Sequence, residues 1–179
     1  MGLFEYAVVS QWLFMILVAV SVLMTIKKAT KKFLYHQDAG LGRGQLFPVP
    51  AMKDNNDKEV KIINGSKDGT IVLYASVNCN FCKPLYPLLD AFQKKKGIPI
   101  VTLMDGEREE ISEIQQNVIQ TVPVIPSNFD EFNNMGVTAI PFAYYLSSEG
   151  KVLAKGTVNN ESDMEYLIEV GEQEKWKAA

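Results

Sequence analysis

The chain has 179 residues, 47% of them hydrophobic and 22% charged, with a net charge of -3, which is ordinary for one globular domain plus a short extra segment. With a pI near 5.3 there is no electrostatic case for a nucleic-acid surface, which requires clustered Lys and Arg on the folded part. Two cysteines are too few for a disulfide-stapled small fold, and a chain of this length buries a sufficient core without staples.

From Tyr6 to Ile26 the chain reads YAVVSQWLFMILVAVSVLMTI, an uncharged run of about 20 residues that as a helix matches the roughly 30 Å hydrocarbon thickness of a bilayer. Residues 1–36 therefore read as a single retained transmembrane anchor, spanning about 6–26, with its basic juxtamembrane segment; the lipid bilayer is its partner. A cleaved signal peptide wants basic residues before the apolar run and a small-x-small site after it. Here Glu5 precedes the run, KKATKK follows it, and the weak site AVS at Ala19 to Ser21 lies inside it. A buried core helix wants a polar face, and none exists over this stretch. Lys27, Lys28, Lys31 and Lys32 stand just after the span, so the positive-inside rule places the carboxyl-terminal part in the cytoplasm.

Residues 37–50 read as a Gly/Pro-rich linker and entrance to a domain covering 44–179. The lone histidine, His36, reads as an interfacial or solvated side chain, because a metal site needs several converging ligands.

The globular part alternates element types. IVLYAS, Ile71 to Ser76, is a continuous apolar run of the length of a buried central strand. Lys83 to Lys96 carries Leu85, Leu88, Leu89 and Phe92 at helical spacing and ends in Lys94 to Lys96 and Gly97. IPIVTLM, Ile98 to Met104, predicts a second buried strand, and EREEISEIQQNV, Glu107 to Val118, a helix with acidic residues in its first turn. This β-α-β-α order implies parallel strands and a right-handed crossover. SNFDEFNNMGV predicts a short helix capped by Ser127 and closed by Gly136. PFAYYLSSEGKVLAKGTV predicts a hairpin turning at SSEG. A last helix runs from a cap at Ser162 to about Lys175, with Met164, Leu167, Ile168 and Trp176 as its apolar positions.

Cys79 and Cys82 lie at the first strand-to-helix junction, spaced C-x-x-C. A cysteine at a helix amino terminus has its thiolate stabilised by unpaired backbone N–H groups and the helix dipole, which makes it the nucleophile. Cys79 fits that position, and Cys82, about one turn further on, is placed to attack a mixed disulfide formed there. Structural zinc needs four ligands, and the chain has no second cysteine pair. Monovalent copper held by two thiolates and a pair of inert core thiols stay as alternatives. No Ser-His-acid arrangement competes, and the chain carries no flavin, quinone or nicotinamide motif, so electrons enter or leave through a separate redox partner protein.

These motifs resemble the membrane-anchored TlpA/ResA type of thioredoxin-like thiol–disulfide oxidoreductase over roughly Gly44 to Gly171. GQLFPVPAMKDNNDKEVKI is similar to that group's entrance segment, IVLYASVNCNFC to its central strand and active-site turn, and Pro87 to the proline that bends its first helix. VTAIPFAYYLSSEGKVLAKG is similar to the segment bearing its cis-proline, which maps to Pro141 with Ile140 before it. The stretch between Met104 and Val137 is similar to the group's extra strand-helix insertion, and the whole layout most resembles the MauD accessory proteins of methylamine dehydrogenase maturation. The resemblance implies an α/β thioredoxin-like fold, a central mixed sheet flanked by helices with that insertion, after one transmembrane helix. It implies Cys79 and Cys82 as catalytic residues, Ile140 and Pro141 as the substrate-binding backbone, no cofactor or metal, and a client protein with cysteines. It also implies a domain outside the cytoplasm, where disulfides persist, against the lysine rule; the reading leans outward. The client direction stays open between forming or isomerising disulfides and reducing an apocytochrome, with a copper carrier or a non-redox chaperone as the other class. Asn78 stands where typical members carry an aromatic residue, Asn80-Phe81 replaces the usual inner pair with proline, and Leu73 occupies the strand position of thioredoxin's buried carboxylate.

Overall fold

The computed structural model describes residues 3–33 and 39–178, with side-chain surroundings at 10–25 and 39–175. The chain divides into two compact units, Met1–Tyr35 and His36–Ala179. The first unit holds one helix, α1 (Leu3–Phe33), whose side chains from 10 to 25 are all exposed, including Trp12, Phe14, Leu17 and Leu23. Among the described residues no helix is long and apolar enough to cross a membrane; the span expected over 6–26 runs past both ends of the described side chains. The lysines after it, His36 and the side chain of Trp176 also lie outside them.

The second unit is built on β3 (Thr70–Ser76), every residue of which is buried. An apolar run of this kind is stable only where both faces and both edges are covered. Parallel β4 (Ile100–Asp105) covers one edge and antiparallel β6 (Phe142–Leu146) the other. With β5 (Val124–Ser127) and β7 (Val152–Thr157) outside them, the five-stranded order is β5-β4-β3-β6-β7, a mixed sheet. The helices are α2 (Tyr86–Lys96), α3 (Arg108–Asn117), α4 (Phe129–Asn134) and α5 (Glu161–Ala178). A small antiparallel pair, β1 (Ala51–Lys53) with β2 (Glu59–Lys61), precedes the sheet.

The sheet residues alternate between two buried faces, as the two-residue period requires. Val72, Tyr74, Val101, Leu103, Phe142 and Tyr144 join one cluster with Phe47, Phe132 and Met135. Its aromatic rings meet edge to face, Tyr74 against Phe132 at 5.0 Å and Phe142 against Tyr144 at 5.1 Å, the arrangement the ring quadrupole favours. The buried phenols are satisfied: Tyr74 donates to Met135 Sδ at 2.9 Å and Tyr144 to the Met135 carbonyl at 2.7 Å.

Several local expectations shift. The first helix becomes regular only at Tyr86, and residues 80–85 are a run of turns. Pro87 is the reason: it has no N–H to continue the ladder back to residue 83, and it is tolerated in the first helical turn, where that donor is spare. The cap of α4 is Asn128, whose side chain accepts from Glu131 N, rather than Ser127, whose hydroxyl donates to Glu131 Oε2. At α5 the capping oxygen belongs to Asn160, which accepts the Asp163 N–H at 3.0 Å, so the helix starts before Ser162. Strand β5 lies inside the expected insertion and contains Pro126; it pairs with β4 alone, and an edge strand accommodates a residue without a donor.

Residues 39–50 are laid onto the fold. Gly40 N–H donates to the Gly136 carbonyl at 2.7 Å, Leu41 N–H to Tyr144 Oη at 2.7 Å, and Lys155 Nζ to the Gly40 carbonyl at 3.1 Å. Phe47 is in the core. These contacts tie the segment to the second unit.

Asp90 on α2 fixes the loop before β5. Its carboxylate accepts the N–H groups of Gln120, Thr121 and Val122 at 2.7, 3.0 and 3.0 Å and the Thr121 hydroxyl at 2.8 Å. Burial pushes this carboxyl up, but the Thr121 hydroxyl and the three N–H groups outweigh burial and hold it below its ordinary value. A carboxyl lowered in the folded state stabilises above its unfolded pKa and loses that contribution as pH falls through the folded value. Asp90→Asn is therefore expected to cost about 1–2 kcal/mol near neutral pH. In denaturation curves taken across pH, the gap to the parent should close below about pH 4.

Candidate active site

The sheet topology sets where the site is. Parallel strands β3 and β4 end together, Ser76 in register with Asp105, and antiparallel β6 begins beside them, with Phe142 opposite Tyr74. The residues after Ser76 and those before Phe142 consequently emerge at the same end of the sheet. That brings Cys79 and Cys82 to the end that also holds Ile140 and Pro141, more than fifty residues away in sequence. Pro141 is buried, Ile140 is half-buried, and the bond between them is cis.

Cys79 and Cys82 are joined as a disulfide with a Cα–Cα distance of 5.2 Å. The turns that carry them are closed by Cys82 N–H and Lys83 N–H donating to the Cys79 carbonyl at 3.0 and 3.2 Å, and by Leu85 N–H donating to the Cys82 carbonyl at 2.9 Å. These helical turns precede α2, so Cys79 lies outside the regular helix, yet its sulfur still receives a backbone donor, Cys82 N–H at 3.2 Å. A donor aimed at that sulfur favours charge on it when the bond is open. The two cysteines differ in access: Cys79 is half-exposed and Cys82 is fully buried. A nucleophile from solvent therefore reaches Cys79 first.

Phe81, between them, is 74% exposed, an aromatic ring left in water beside the reachable sulfur. Behind the site, Leu73 is fully buried and in register with Thr102 on β4 and Ala143 on β6. The Thr102 hydroxyl is buried without a hydrogen-bond partner. Among the described residues no three His, Cys, Asp or Glu side chains gather in a metal-binding group.

Three residues at this end were not singled out from the sequence. Ser76 donates from its hydroxyl to Asp105 Oδ2 at 3.0 Å, and its carbonyl accepts the Tyr86 hydroxyl at 2.7 Å. Burial pushes the Tyr86 phenol well above its ordinary pKa, so it stays a donor. The available signal was a polar residue closing each of two adjacent apolar strands, YAS and LMDG.

Gly106 forms the wall beside the turn. Its φ is +151°, and a Cβ there would stand 2.5 and 2.8 Å from the two Val77 methyl carbons. Gly106→Ala is expected to displace Val77 and cost about 1–3 kcal/mol, read as a lowered denaturation midpoint.

No protein-family model matches the chain. It is similar to the methylamine utilization protein MauD of Paracoccus versutus, 25% identical over 134 residues, covering 74% of this chain and 67% of that protein. MauD of Methylorubrum extorquens is 24% identical over 143 residues, with 74% of this chain and 65% of that protein covered. The chain thus spans about two thirds of the length of these curated relatives. Among solved structures, the thioredoxin domain of a thiol-disulfide oxidoreductase from Bacteroides vulgatus superposes with a TM-score of 0.58 at 17% identity, covering 74% of this chain and 97% of that one. A thioredoxin-family thiol:disulfide interchange protein from Chlorobium tepidum gives 0.57 at 17%, covering 71% and 97%. A secreted Mycobacterium tuberculosis disulfide oxidoreductase homologous to DsbE gives 0.53 at 11%, covering 68% and 94%. The fold of the second unit is thioredoxin-like.

Proposed function

We propose that this chain is a protein thiol–disulfide oxidoreductase tethered to a membrane by its amino-terminal helix. The observation that carries the reading is the Cys79–Cys82 disulfide at the strand-to-helix junction, with one cysteine half-exposed and the other buried.

In the oxidising direction a client thiolate attacks Cys79 Sγ. The Cys79–Cys82 bond breaks, Cys82 leaves as a thiolate, and a mixed disulfide joins Cys79 to the client. A second client thiolate then attacks the client sulfur of that bond and releases Cys79, so the client gains a disulfide and the chain is left as a dithiol. In the reducing direction the same bonds form and break in reverse, with Cys79 as the attacking thiolate and Cys82 resolving the intermediate. A separate redox partner protein resets the pair. The backbone of Ile140, beside Pro141, is assigned to hold the client in an extended conformation by strand-like hydrogen bonds. The cysteines, Ile140 and Pro141 share one end of the sheet, which supports that assignment.

The tether rests on the uncharged run from Tyr6 to Ile26 and on the apolar side chains that α1 exposes from 10 to 25. Such a surface is costly in water and favourable in hydrocarbon. We place the catalytic unit on the extracytoplasmic side, where disulfides persist. Similarity to MauD supports a client in methylamine utilisation, with maturation of methylamine dehydrogenase as the first candidate.

Single-cysteine variants of the full chain test the chemistry. Cys82→Ser should retain Cys79 as a trap and accumulate a client-bound mixed disulfide on non-reducing gels. Cys79→Ser should lose both the trapped species and client maturation; maturation at the wild-type level in that variant would refute the oxidoreductase reading.

A further inference from the structure

Ser76 is the last residue of β3 and 3% exposed, and four hydrogen bonds converge on it. Its carbonyl accepts the Cys79 N–H at 3.0 Å and the Tyr86 hydroxyl at 2.7 Å. Its own hydroxyl accepts the Asn78 N–H at 3.3 Å and donates to Asp105 Oδ2 at 3.0 Å. Beside it, Val77 N–H donates to the Asp105 carbonyl at 3.0 Å. One residue thereby joins the central strand, the loop that delivers Cys79, the neighbouring strand, and α2.

The order along the chain gives these bonds their meaning. Ser76 precedes the first cysteine by three residues and Tyr86 follows the second by four. The Tyr86-to-Ser76 bond therefore closes a loop that contains both sulfurs without involving either. It lies in the interior, with Tyr86 buried, where water does not compete for the donor.

We propose that Ser76, Tyr86 and Asp105 are positioning residues forming a sulfur-independent bracket that keeps Cys79 and Cys82 close when their disulfide is open, favouring its closure over a lasting mixed disulfide. The inference rests on the exchange reading given above. In the closing step the Cys82 thiolate, its proton given up to solvent, attacks Cys79 Sγ. The Cys79–Cys82 bond forms, the bond from Cys79 to the client or glutathione sulfur breaks, and that sulfur departs as a thiolate. The step is intramolecular, so its equilibrium depends on the effective concentration of one sulfur at the other. A bracket that already fixes both ends of the turn raises that concentration by reducing the freedom lost on closure. Without it, the opened turn is held by local turn bonds and the packing of α2 alone.

The test equilibrates the full chain in detergent micelles with reduced and oxidised glutathione: one protein disulfide plus two glutathione thiols gives one protein dithiol plus one glutathione disulfide. Tyr86→Phe keeps the buried ring and removes the donor; Ser76→Ala removes the hydroxyl. One net hydrogen bond is worth about 1 kcal/mol, and only the part that the open turn recovers as freedom counts, so each variant should shift the equilibrium toward dithiol by up to about fivefold. By the two-electron conversion this is a potential up to about 20 mV less negative. Glutathione mixed disulfide at Cys79 should also rise, and Ser76→Thr, which keeps the hydroxyl, should restore the wild-type value. Asp105→Ala should follow Ser76→Ala, whereas Asp105→Asn, which retains an acceptor for the Ser76 hydroxyl, should stay close to wild type. A lowered melting temperature with an unchanged equilibrium constant in Tyr86→Phe and Ser76→Ala would make these bonds merely structural and overturn the bracket. Failure of the wild-type chain itself to equilibrate would overturn the exchange reading and the bracket together, and is distinguishable because no variant enters that result.

Discussion

Complete burial of β3 is the constraint from which the rest of the catalytic unit follows. A strand with every residue from Thr70 to Ser76 out of water has no free edge and no wet face, so its backbone groups must be paired by neighbours on both sides. Its last residue, Ser76, turns hydrogen-bonding groups toward the carboxyl-terminal end, where the chain leaves the sheet. The parallel partner β4 ends at the same level and the antiparallel partner β6 starts there, so three loops from distant parts of the sequence meet at one end of the sheet. In open α/β sheets this carboxyl end is the general location of binding sites. Here it holds the cysteine turn, the Ile140-Pro141 bond, and the Ser76–Asp105 pair.

The differences between the two cysteines arise from the same geometry. Cys79 lies in the loop leaving the strand and stays within reach of solvent, while Cys82, one helical turn on, faces inward. Pro87 separates these turns from regular α2 by withholding one backbone donor, and Gly106 lets Val77 approach the neighbouring strand end. Two further side chains set the character of this end of the fold. Leu73 is an apolar, fully buried side chain in β3, and Phe81 places an exposed aromatic surface beside the reachable sulfur. Proton handling in this chain therefore cannot run through position 73, whereas the exposed ring offers apolar contact area to a client polypeptide.

Much of this was legible in the residues themselves. Strand β3, the hairpin at SSEG and the C-x-x-C junction rest on local signals: a continuous apolar run, a turn between two strand-like segments, and fixed spacing. What escaped detection depends on partners remote in sequence. Strand β5 contains Pro126, and its tolerance follows only from its being an edge. The caps are a local difference: Asn128 lies one residue after Ser127 and Asn160 two residues before Ser162, and each accepts the N–H three residues further on. The segment from Ala39 looks like free tether by composition, yet its glycine backbone is used for close approach: Gly40, at φ +82°, packs against Gly136 and Tyr144. Ser76 is one of many serines until β4 brings Asp105, and α2 brings Tyr86, to its side.

The central claim is that the Cys79–Cys82 bond is a working couple rather than a fixed staple. The direct measurement is its reduction potential in the full chain, by equilibration against glutathione or dithiothreitol. The account predicts a value within the span of exchanging dithiol proteins, from about -120 mV for strong oxidants to about -270 mV for thioredoxin-like reductants. Where in that span it falls sets the direction of electron flow to the client. A potential below about -300 mV, the range of structural disulfides, would contradict the account.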